Sequence, residues 1–308
     1  MRGVVLVVLV AACESKPEVP AQAPAITEKQ APPKECTDLP FASATPVPEA
    51  SGAAWLEVDG KPALFVVSDS GNHGKYVIVD ADDGTTIEEG TLPLGEGAGD
   101  DLEGIAARGG LFHVISSPGW VRSYKRADKS FELVDAPYAL GPIDIADKGG
   151  GMGDKPPKGS GMVCAAKHTN CGRNYEGLCL LPDNVAQKPN ARCIGFAASK
   201  ADGHLYCIQE DRGKLVVQYQ NAIRIARPGV VADCAFSDDG TLYAGSNLFD
   251  AGSVYRVDGW NDPNTAKVTT VGALGIGFPE TLAVRGDTFY RMSDTGVAPS
   301  MMRKLRCR

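Results

Sequence analysis

The sequence predicts an all-β fold, and specifically a disulfide-bonded β-propeller. Five segments share one pattern, a short apolar strand, a turn with Gly, Asp or Lys, and a second strand of aromatic or β-branched residues. These segments begin at Ser51, Glu103, Phe196, Asp233 and Glu280. Further strand-like stretches follow the hairpins, and no long helical periodicity is present. Such hairpins are typical of small antiparallel sheets, and recurrence of the whole unit favours a propeller over a sandwich or a barrel.

The number of blades depends on the stretch before Phe196. If residues 162–164 and 175–181 together form a blade, the propeller has six blades, and otherwise it has five. We favour six. The last repeat ends in the strand-like residues 303–308, which have no partner after them in the sequence. We therefore expect residues 36–48, which precede the first hairpin, to supply the outer strand that closes the ring.

The cysteines predict a disulfide framework. Nine are present, and eight remain once Cys13 is set aside. An even number in an exported protein predicts four disulfides, and the spacings lack the close pairs that a zinc site, the alternative, would favour. Closure of the ring would make Cys36 and Cys307 neighbours, although pairing elsewhere stays open. The expected disulfide cysteines are Cys36, Cys164, Cys171, Cys179, Cys193, Cys207, Cys234 and Cys307.

The N-terminus resembles a bacterial lipoprotein signal. Arg2 is followed by the apolar residues 4–10 and then by two alanines and Cys13, which is the order of a secretory signal peptide. The apolar run is shorter than the ~20 residues of a membrane-spanning helix. We expect residues 1–12 to be removed and Cys13 to carry several fatty acyl chains such as palmitate, because stable anchoring takes more than one chain. An ordinary signal peptide with an incidental cysteine is the alternative.

Residues 13–35 are expected to be a disordered tether, and residues 36–308 the propeller domain. The tether sequence is rich in Pro, Ala, Glu and Lys and has almost no large apolar residues. Burial therefore cannot offset the entropy lost on ordering, and the prolines favour an extended spacer. Glu14 follows the cysteine in place of the Asp that resembles an inner-membrane retention signal. In a Gram-negative bacterium this predicts an exported protein anchored in the outer membrane.

The charge of the chain excludes one class of partner. The formal net charge is −7 and the sequence pI is about 5.2, whereas nucleic-acid binding requires clustered Lys and Arg. Mild acidity is compatible with cation binding, although it more often reflects a soluble surface. We expect a monomer that meets the membrane through its lipid anchor and binds an unidentified protein or small molecule.

Three short motifs resemble the inner strands of the esterase-like phytase and SdiA-regulated propeller families. They are Leu102-Glu103-Gly104-Ile105-Ala106, Tyr175-Glu176-Gly177-Leu178 and Pro279-Glu280-Thr281-Leu282-Ala283. Residues 67–71 and 292–296 resemble the strand ends of these families. The resemblance covers most of residues 49–308, and the eight cysteines and an insertion at 141–174 depart from it. It implies a propeller and, for phytase-like members, a Ca²⁺-dependent hydrolase of a phosphoester, ester or lactone.

An acidic residue begins the predicted innermost strand in four repeats. In a propeller these strand starts surround one mouth of the central channel. Converging carboxylates repel one another unless a cation or hydrogen bonds compensate, and such oxygen ligands suit Ca²⁺. The alternative is that each carboxylate accepts hydrogen bonds from the backbone of a neighbouring blade. The expected ligands of a Ca²⁺ cofactor are Glu103, Glu176, Asp233 and Glu280.

Polar residues also lie at the ends of the predicted second strands and in polar loops. Propellers usually bind ligands at the face formed by such strand ends, although a solvated turn is the more common role of these residues. Lys167, His168 and Arg173 would together offer a small basic cradle for a phosphate group. The expected ligand-face residues are Asp69, His73, His168, Arg173, Glu210 and Asp294.

The sequence offers no nucleophilic catalytic set, because it contains no G-x-S-x-G elbow and no closely spaced histidine pair. The leading hypothesis is therefore a binding or scaffold module displayed by a lipid anchor. The alternative is the Ca²⁺-dependent hydrolase that the resemblance implies. A bound metal with a free coordination position would favour the hydrolase.

Overall fold

Five antiparallel sheets follow one another along the chain in the computed structural model. The structure describes residues 35–143, 163–166, 168–187, 191–226, 229–248, 251–296 and 299–308, which belong to the unit Pro32–Arg308. Its strands are β1 (Cys36–Asp38), β2 (Ala44–Thr45), β3 (Ala50–Val58), β4 (Lys61–Ser68), β5 (Lys75–Asp80), β6 (Thr86–Thr91), β7 (Ile105–Arg108), β8 (Leu111–Ile115), β9 (Trp120–Ala127), β10 (Ser130–Leu133), β11 (Tyr138–Ala139), β12 (Tyr175–Leu180), β13 (Gly195–Ser199), β14 (His204–Asp211), β15 (Lys214–Arg224), β16 (Val231–Phe236), β17 (Leu242–Ser246), β18 (Ser253–Asp258), β19 (Lys267–Ala273), β20 (Phe278–Arg285), β21 (Thr288–Asp294) and β22 (Ser300–Cys307).

These strands form a five-bladed propeller, as the all-β prediction required. Blade 1 contains β3–β6, blade 2 contains β7–β11, blade 3 contains β12–β15 and blade 4 contains β16–β19. Blade 5 contains β20–β22 together with β1 and β2. The first strands of successive blades contact one another in cyclic order, and β20 contacts β3. The first strand of each blade is therefore the innermost strand of a closed ring.

The preference for six blades was wrong. The strand at Tyr175–Leu180 pairs with β13, where Cys179 lies opposite Phe196, so both belong to blade 3. Val163 makes only an isolated bridge to Ile143. A hairpin pattern fits the second and third strands of a blade as well as the first and second. The hairpin at Phe196 therefore looked like the start of a new blade.

The N-terminal strands close the ring, as predicted. Strand β1 pairs antiparallel with β22 and sets Cys36 opposite Cys307, and the two residues form a disulfide. Strand β2 pairs with the beginning of β22. The chain thus enters and leaves the propeller in the same blade.

All eight cysteines of the described residues form disulfides, as predicted. Cys179 and Cys234 join the innermost strands of blades 3 and 4. The other pairs are Cys36–Cys307, Cys164–Cys171 and Cys193–Cys207. In the chain-entropy model a disulfide stabilises more when it closes a longer loop. The ring-closing pair, 271 residues apart, is expected to contribute most.

Apolar side chains fill the spaces between neighbouring blades. Between blades 1 and 2, Phe65 stacks on Phe131 with ring centroids 4.3 Å apart, and Tyr76 and Phe112 meet these rings edge-on. Such aromatic pairs add about 0.5–1.5 kcal/mol each beyond the area that they bury. These contacts pack one face of blade 1 against the facing side of blade 2.

Close backbone contacts between innermost strands narrow the central channel near one end. We call the five residues at equivalent positions the contact ring, and they are Gly52, Gly104, Gly177, Asp233 and Thr281. A β-carbon on Gly177 would lie 2.7 Å from the Cα of Asp233. The Thr281 hydroxyl donates to the Ala50 carbonyl over 3.0 Å and completes the circle. On the far side of the ring the channel widens into an apolar cavity of about 100 Å³, lined partly by Trp55 and Phe236.

The predicted signal peptide, Cys13 and most of the tether lie outside the described residues. Part of the 141–174 insertion, residues 144–162, lies outside them as well. Among the residues that are described, none belongs to a helix with the length and apolar character needed to cross a bilayer.

Candidate metal centre

A buried serine recurs at the end of the second strand of each blade, and the residue after it lies at one mouth of the channel. The serines are Ser68, Ser116, Ser199, Ser246 and Ser293. Their hydroxyls bond to the backbone of the same blade, as when Ser199 donates to the Arg173 carbonyl over 2.6 Å. The residues that follow them are Asp69, Ser117, Lys200, Asn247 and Asp294.

Each innermost strand also carries a local irregularity near its start. In blades 1, 3, 4 and 5 the pairing register shifts around one residue, and in blade 2 both Glu103 and Gly104 bond to Ile115 of the second strand. Such a bulge inserts one residue and redirects its side chain. The bulged residues are Ser51, Glu103, Glu176, Ala232 and Glu280.

Asp233 does not join the other predicted ligands. The bulge in β16 falls on Ala232, so Asp233 occupies the contact-ring position instead. Its carboxylate accepts the N–H groups of Leu282 and Cys234, each over 2.7 Å. It therefore ties blade 4 to blade 5, the structural alternative stated for these acids. The sequence analysis placed Asp233 at the strand start equivalent to Glu103, Glu176 and Glu280, whereas the structure places Ala232 there.

The other three predicted ligands converge. Oxygens of Glu103, Glu176 and Glu280 lie within 4.8 Å of one another, and the three residues are between 1 % and 4 % exposed. The Lys200 ammonium lies 2.8 Å from Glu176 and 3.0 Å from Glu280. Lys200 belongs to blade 3 and Glu280 to blade 5. In blade 4, which lies between them, the equivalent bulged residue is Ala232, whose side chain is only a methyl group.

A second carboxylate group overlaps the first. Oxygens of Asp69, Asp101 and Glu103 also lie within 4.8 Å of one another. We call the five residues of both groups the axial acid cluster, and they are Asp69, Asp101, Glu103, Glu176 and Glu280. Ser117 donates to Asp101 through its N–H over 3.0 Å and through its hydroxyl. Ser51 donates to Glu103 over 2.5 Å, and the Ser70 N–H donates to Asp69.

Burial and mutual repulsion disfavour full ionisation of the cluster. Burial, followed by the charge of Asp101, raises the pKa of Asp69 to about 8. Burial also raises the pKa of Glu176 to about 8, against the opposing charge of Lys200. Burial, followed by the charge of Asp69, raises the pKa of Glu103. Carboxylates in this state are stabilised by a proton or by a bound cation.

An amide oxygen without a hydrogen-bond partner among the described residues belongs to Asn174, which bonds to the cluster residue Glu176. Asn174 donates from Nδ2 to Glu176 over 2.8 Å, while its buried Oδ1 has no partner in the part of the chain that the structure describes. Asn247 donates to the same Glu280 oxygen that accepts from Lys200. Amide carbonyl oxygens and carboxylates are both ligands of Ca²⁺. This donor set therefore fits a hard cation.

Two of the predicted ligand-face residues belong to the axial acid cluster or lie beside it, and the others make their contacts elsewhere. Asp69 belongs to the cluster, and Asp294 lies beside it, where burial raises its pKa. His73 is almost fully exposed, 3.4 Å from Asp100. Arg173 pairs with Asp202 and lies over the Tyr206 ring. His168 lies in the loop closed by the disulfide Cys164–Cys171.

Glu210 was placed on the wrong face. It lies near the end of β14, the third strand of blade 3, which runs from the mouth towards the opposite end of the channel. The error arose because the sequence analysis took β13 and β14 as the first and second strands of a blade, whereas they are the second and third. Neighbouring strands are antiparallel, so the end of a third strand lies opposite to the end of a second strand. The residue at the equivalent mouth position is Lys200, which sequence reasoning missed. The recurring serine before it was the available signal.

The comparisons with known proteins concern the fold. No protein-family model matches the sequence, and no curated protein matches it. Among solved structures, a luciferin-regenerating enzyme is similar with a TM-score of 0.47 and 10% identity, over 89% of this chain and 95% of that one. A glutaminyl cyclase of Myxococcus xanthus is similar with a TM-score of 0.48 and 11% identity, over 89% of this chain and 97% of that one. At these values neither similarity extends to the chemistry of a site.

Proposed function

We propose that this chain is an exported, lipid-anchored binding module whose propeller holds Ca²⁺ among Asp69, Asp101 and Glu103. The observation that carries the proposal is the convergence of these three carboxylates. One oxygen of each is already held by a hydrogen-bond donor. Among the described residues, none of the three forms an ion pair with a cationic side chain.

Calcium suits this group better than a proton alone. Ca²⁺ takes carboxylate oxygens at roughly 2.3–2.6 Å and tolerates irregular geometry. Burial, together with the charges of nearby carboxylates, raises the pKa values of the group, and a bound cation would compensate the charges that burial disfavours. Asp69 is partly exposed, whereas Asp101 and Glu103 are buried. A small ion can therefore enter past Asp69.

The charge around the mouth supports a binding role over phosphoester hydrolysis. Phosphate chemistry needs basic groups beside the bound cation. Arg173, a member of the expected basic cradle, is ion-paired with Asp202. Among the described residues, Lys200 is the cation that forms ion pairs with the cluster, and it is already held by two glutamates. An anionic ligand would meet a mouth dominated by carboxylates.

A Ca²⁺-dependent hydrolase of neutral esters or lactones is the second candidate. One observation favours it, because Asp69 is the partly exposed member of the group, whereas Asp101 and Glu103 are buried. A carboxylate at the mouth beside a bound cation could contact a substrate and take part in general acid–base catalysis.

Calcium titration of chelator-treated protein tests the proposal. At a Ca²⁺ concentration 100-fold above Kd, binding should add about 2.7 kcal/mol and raise Tm by about 5 °C or more. Asp69→Asn should abolish most of this rise, because it removes a ligand charge while keeping the size of the side chain. Glu89→Gln, which neutralises an exposed carboxylate on β6, is the matched control and should respond like wild type.

A screen with ester, lactone and phosphoester substrates separates the two candidates. Calcium binding without turnover supports the binding module. Turnover that needs Ca²⁺ and is lost in Asp69→Asn supports the hydrolase. Wild-type protein that gains no stability from Ca²⁺ contradicts both candidates.

A further inference from the structure

The side chain of Lys200 lies where a cation would be expected among three glutamates. Its Nζ is 2.8 Å from Glu176 and 3.0 Å from Glu280, and oxygens of Glu103, Glu176 and Glu280 lie within 4.8 Å of one another. The Lys200 side chain is only 14% exposed, and those of Glu176 and Glu280 are 2% and 6% exposed. The ammonium therefore sits inside the cluster and not on the surface.

We propose that the Glu103–Glu176–Glu280 group is a second cation site of this protein, which the Lys200 ammonium fills in place of a metal ion. The two carboxylate groups share Glu103, so the axial mouth contains two adjacent cation positions. One is filled by the chain itself, and the other is open to Ca²⁺. This inference rests on the proposed function for the open position only.

An independent observation points to a metal-like position at the filled site. The Oδ1 of Asn174 is buried and has no hydrogen-bond partner among the described residues, although the same amide donates to Glu176. Leaving a buried acceptor unsatisfied is unfavourable, because nothing replaces the water that it loses on burial. Amide carbonyl oxygens are Ca²⁺ ligands, and the hydrogen bond from Asn174 to Glu176 keeps this amide beside a carboxylate that binds the ammonium. Such a donor set is richer in oxygen than an ammonium requires.

The lysine prevents this position from binding metal in the wild-type chain. Its four-carbon side chain holds one positive charge at a fixed point, whereas Ca²⁺ would bring two charges and shorter contacts to oxygen. A metal could enter only if the ammonium left a buried site in which two glutamates hold it. Removing the ammonium takes away the cation that pairs with Glu176 and Glu280 and leaves three buried carboxylates with only neutral hydrogen-bond donors. A metal ion would relieve this unfavourable state.

Metal stoichiometry in Lys200→Met tests the inference, because methionine fills much of the space without the charge. We expect one Ca²⁺ per chain in wild type and two in Lys200→Met, measured by calorimetric titration and by elemental analysis after dialysis. Lys75→Met, on the exposed start of β5, is the matched control and should bind one. Adding Glu176→Gln to Lys200→Met should remove the second ion.

Each result decides between the two proposals. One ion in both wild type and folded Lys200→Met overturns the inference and leaves the proposed function standing. No ion in wild type but one in Lys200→Met supports the inference and contradicts the proposed function. If Lys200→Met folds only when Ca²⁺ is added, as followed by circular dichroism, the inference is supported. If it stays unfolded with Ca²⁺, the less charged Lys200→Met/Glu280→Gln variant is titrated, and stoichiometry equal to wild type overturns the inference.

Discussion

Gly104 and Gly177 meet backbone to backbone at the propeller axis, where a β-carbon added to Gly104 would lie 2.5 Å from the Cα of Gly177. Neither residue can yield by rotating a side chain, because the contact involves main-chain atoms. Glu103 and Glu176 directly precede these glycines in the sequence. The contact therefore sets how close the two carboxylates come, and it links the packing of the axis to the proposed cation sites.

Gly104→Ala should destabilise the propeller by about 3 kcal/mol or more, because overpacking against rigid atoms forces the backbone to shift. Urea unfolding measures the change. Gly60→Asn is the control, since Gly60 has φ +74 and open space around it, and Asn tolerates this conformation. Equal stability of Gly104→Ala and wild type would show that the axis is looser than the structure indicates.

Removing the ring-closing disulfide should cost more stability than removing a local one. Cys36→Ser with Cys307→Ser opens a loop with a separation of 271 residues, and the chain-entropy model gives a loss of about 5–6 kcal/mol. Cys164→Ser with Cys171→Ser opens a separation of 7 and should cost about half as much. Guanidinium unfolding without reductant measures both, and the reverse order would contradict the prediction.

His113 should make the protein sensitive to mild acid. Burial lowers its pKa to about 4, and its Nδ1 lies 2.9 Å from the Ser123 hydroxyl. Below pH ~6.5 the unfolded chain binds a proton at this residue that the folded chain does not bind until about pH 4. The contribution of His113 to stability is therefore complete above pH 6.5 and should fall by ~3 kcal/mol between pH 6.5 and 4, while the carboxyl groups with raised pKa values change stability in the opposite direction.

His113→Asn should remove this contribution, so that the variant loses about 3 kcal/mol less than wild type between pH 6.5 and 4, because Asn keeps a polar group near Ser123 but does not titrate. Free energies of unfolding at several pH values between 4 and 8 measure the effect. His73→Asn, at an exposed histidine, should keep the wild-type slope. A wild-type slope in His113→Asn would mean that other groups cause the acid sensitivity.

The proposed lipid anchor has its own test. Cys13→Ala should leave the precursor unprocessed by the lipoprotein-specific peptidase and without incorporated fatty acid, because the acylated thiol is lost. Metabolic labelling with a fatty-acid probe and the mass of the mature chain measure both effects. Equal labelling of wild type and Cys13→Ala would rule out the anchor at this residue.

Repetition made much of the fold predictable from the sequence. The hairpin units predict the propeller, and a final strand without a partner predicts closure by residues 36–48, with Cys36 beside Cys307. The number of blades was not predictable in this way, because the hairpin at Phe196 carries no mark of its place within a blade. That single ambiguity also moved Glu210 to the wrong face.

The candidate site was only partly predictable, because it depends on single-residue register. Glu103, Glu176 and Glu280 were identified by their place at the strand starts. Asp233 follows the same rule in the sequence, but the bulge at Ala232 turns it into a backbone contact between blades. Lys200 was hidden because its blade was misassigned. Contacts across the axis, such as that between Lys200 and Glu280, follow from the geometry of the closed ring and have no signature in local sequence.

The disulfide between Cys36 and Cys307 makes the domain a closed covalent circle. A protease that cuts one peptide bond between these residues, for example in the glycine-rich stretch 148–161, leaves a single molecule with its blades still joined. Two cuts are needed before any part can separate, unless another disulfide spans them. For the exported chain that we propose, such a circle would keep the axial acid cluster together after the first cut.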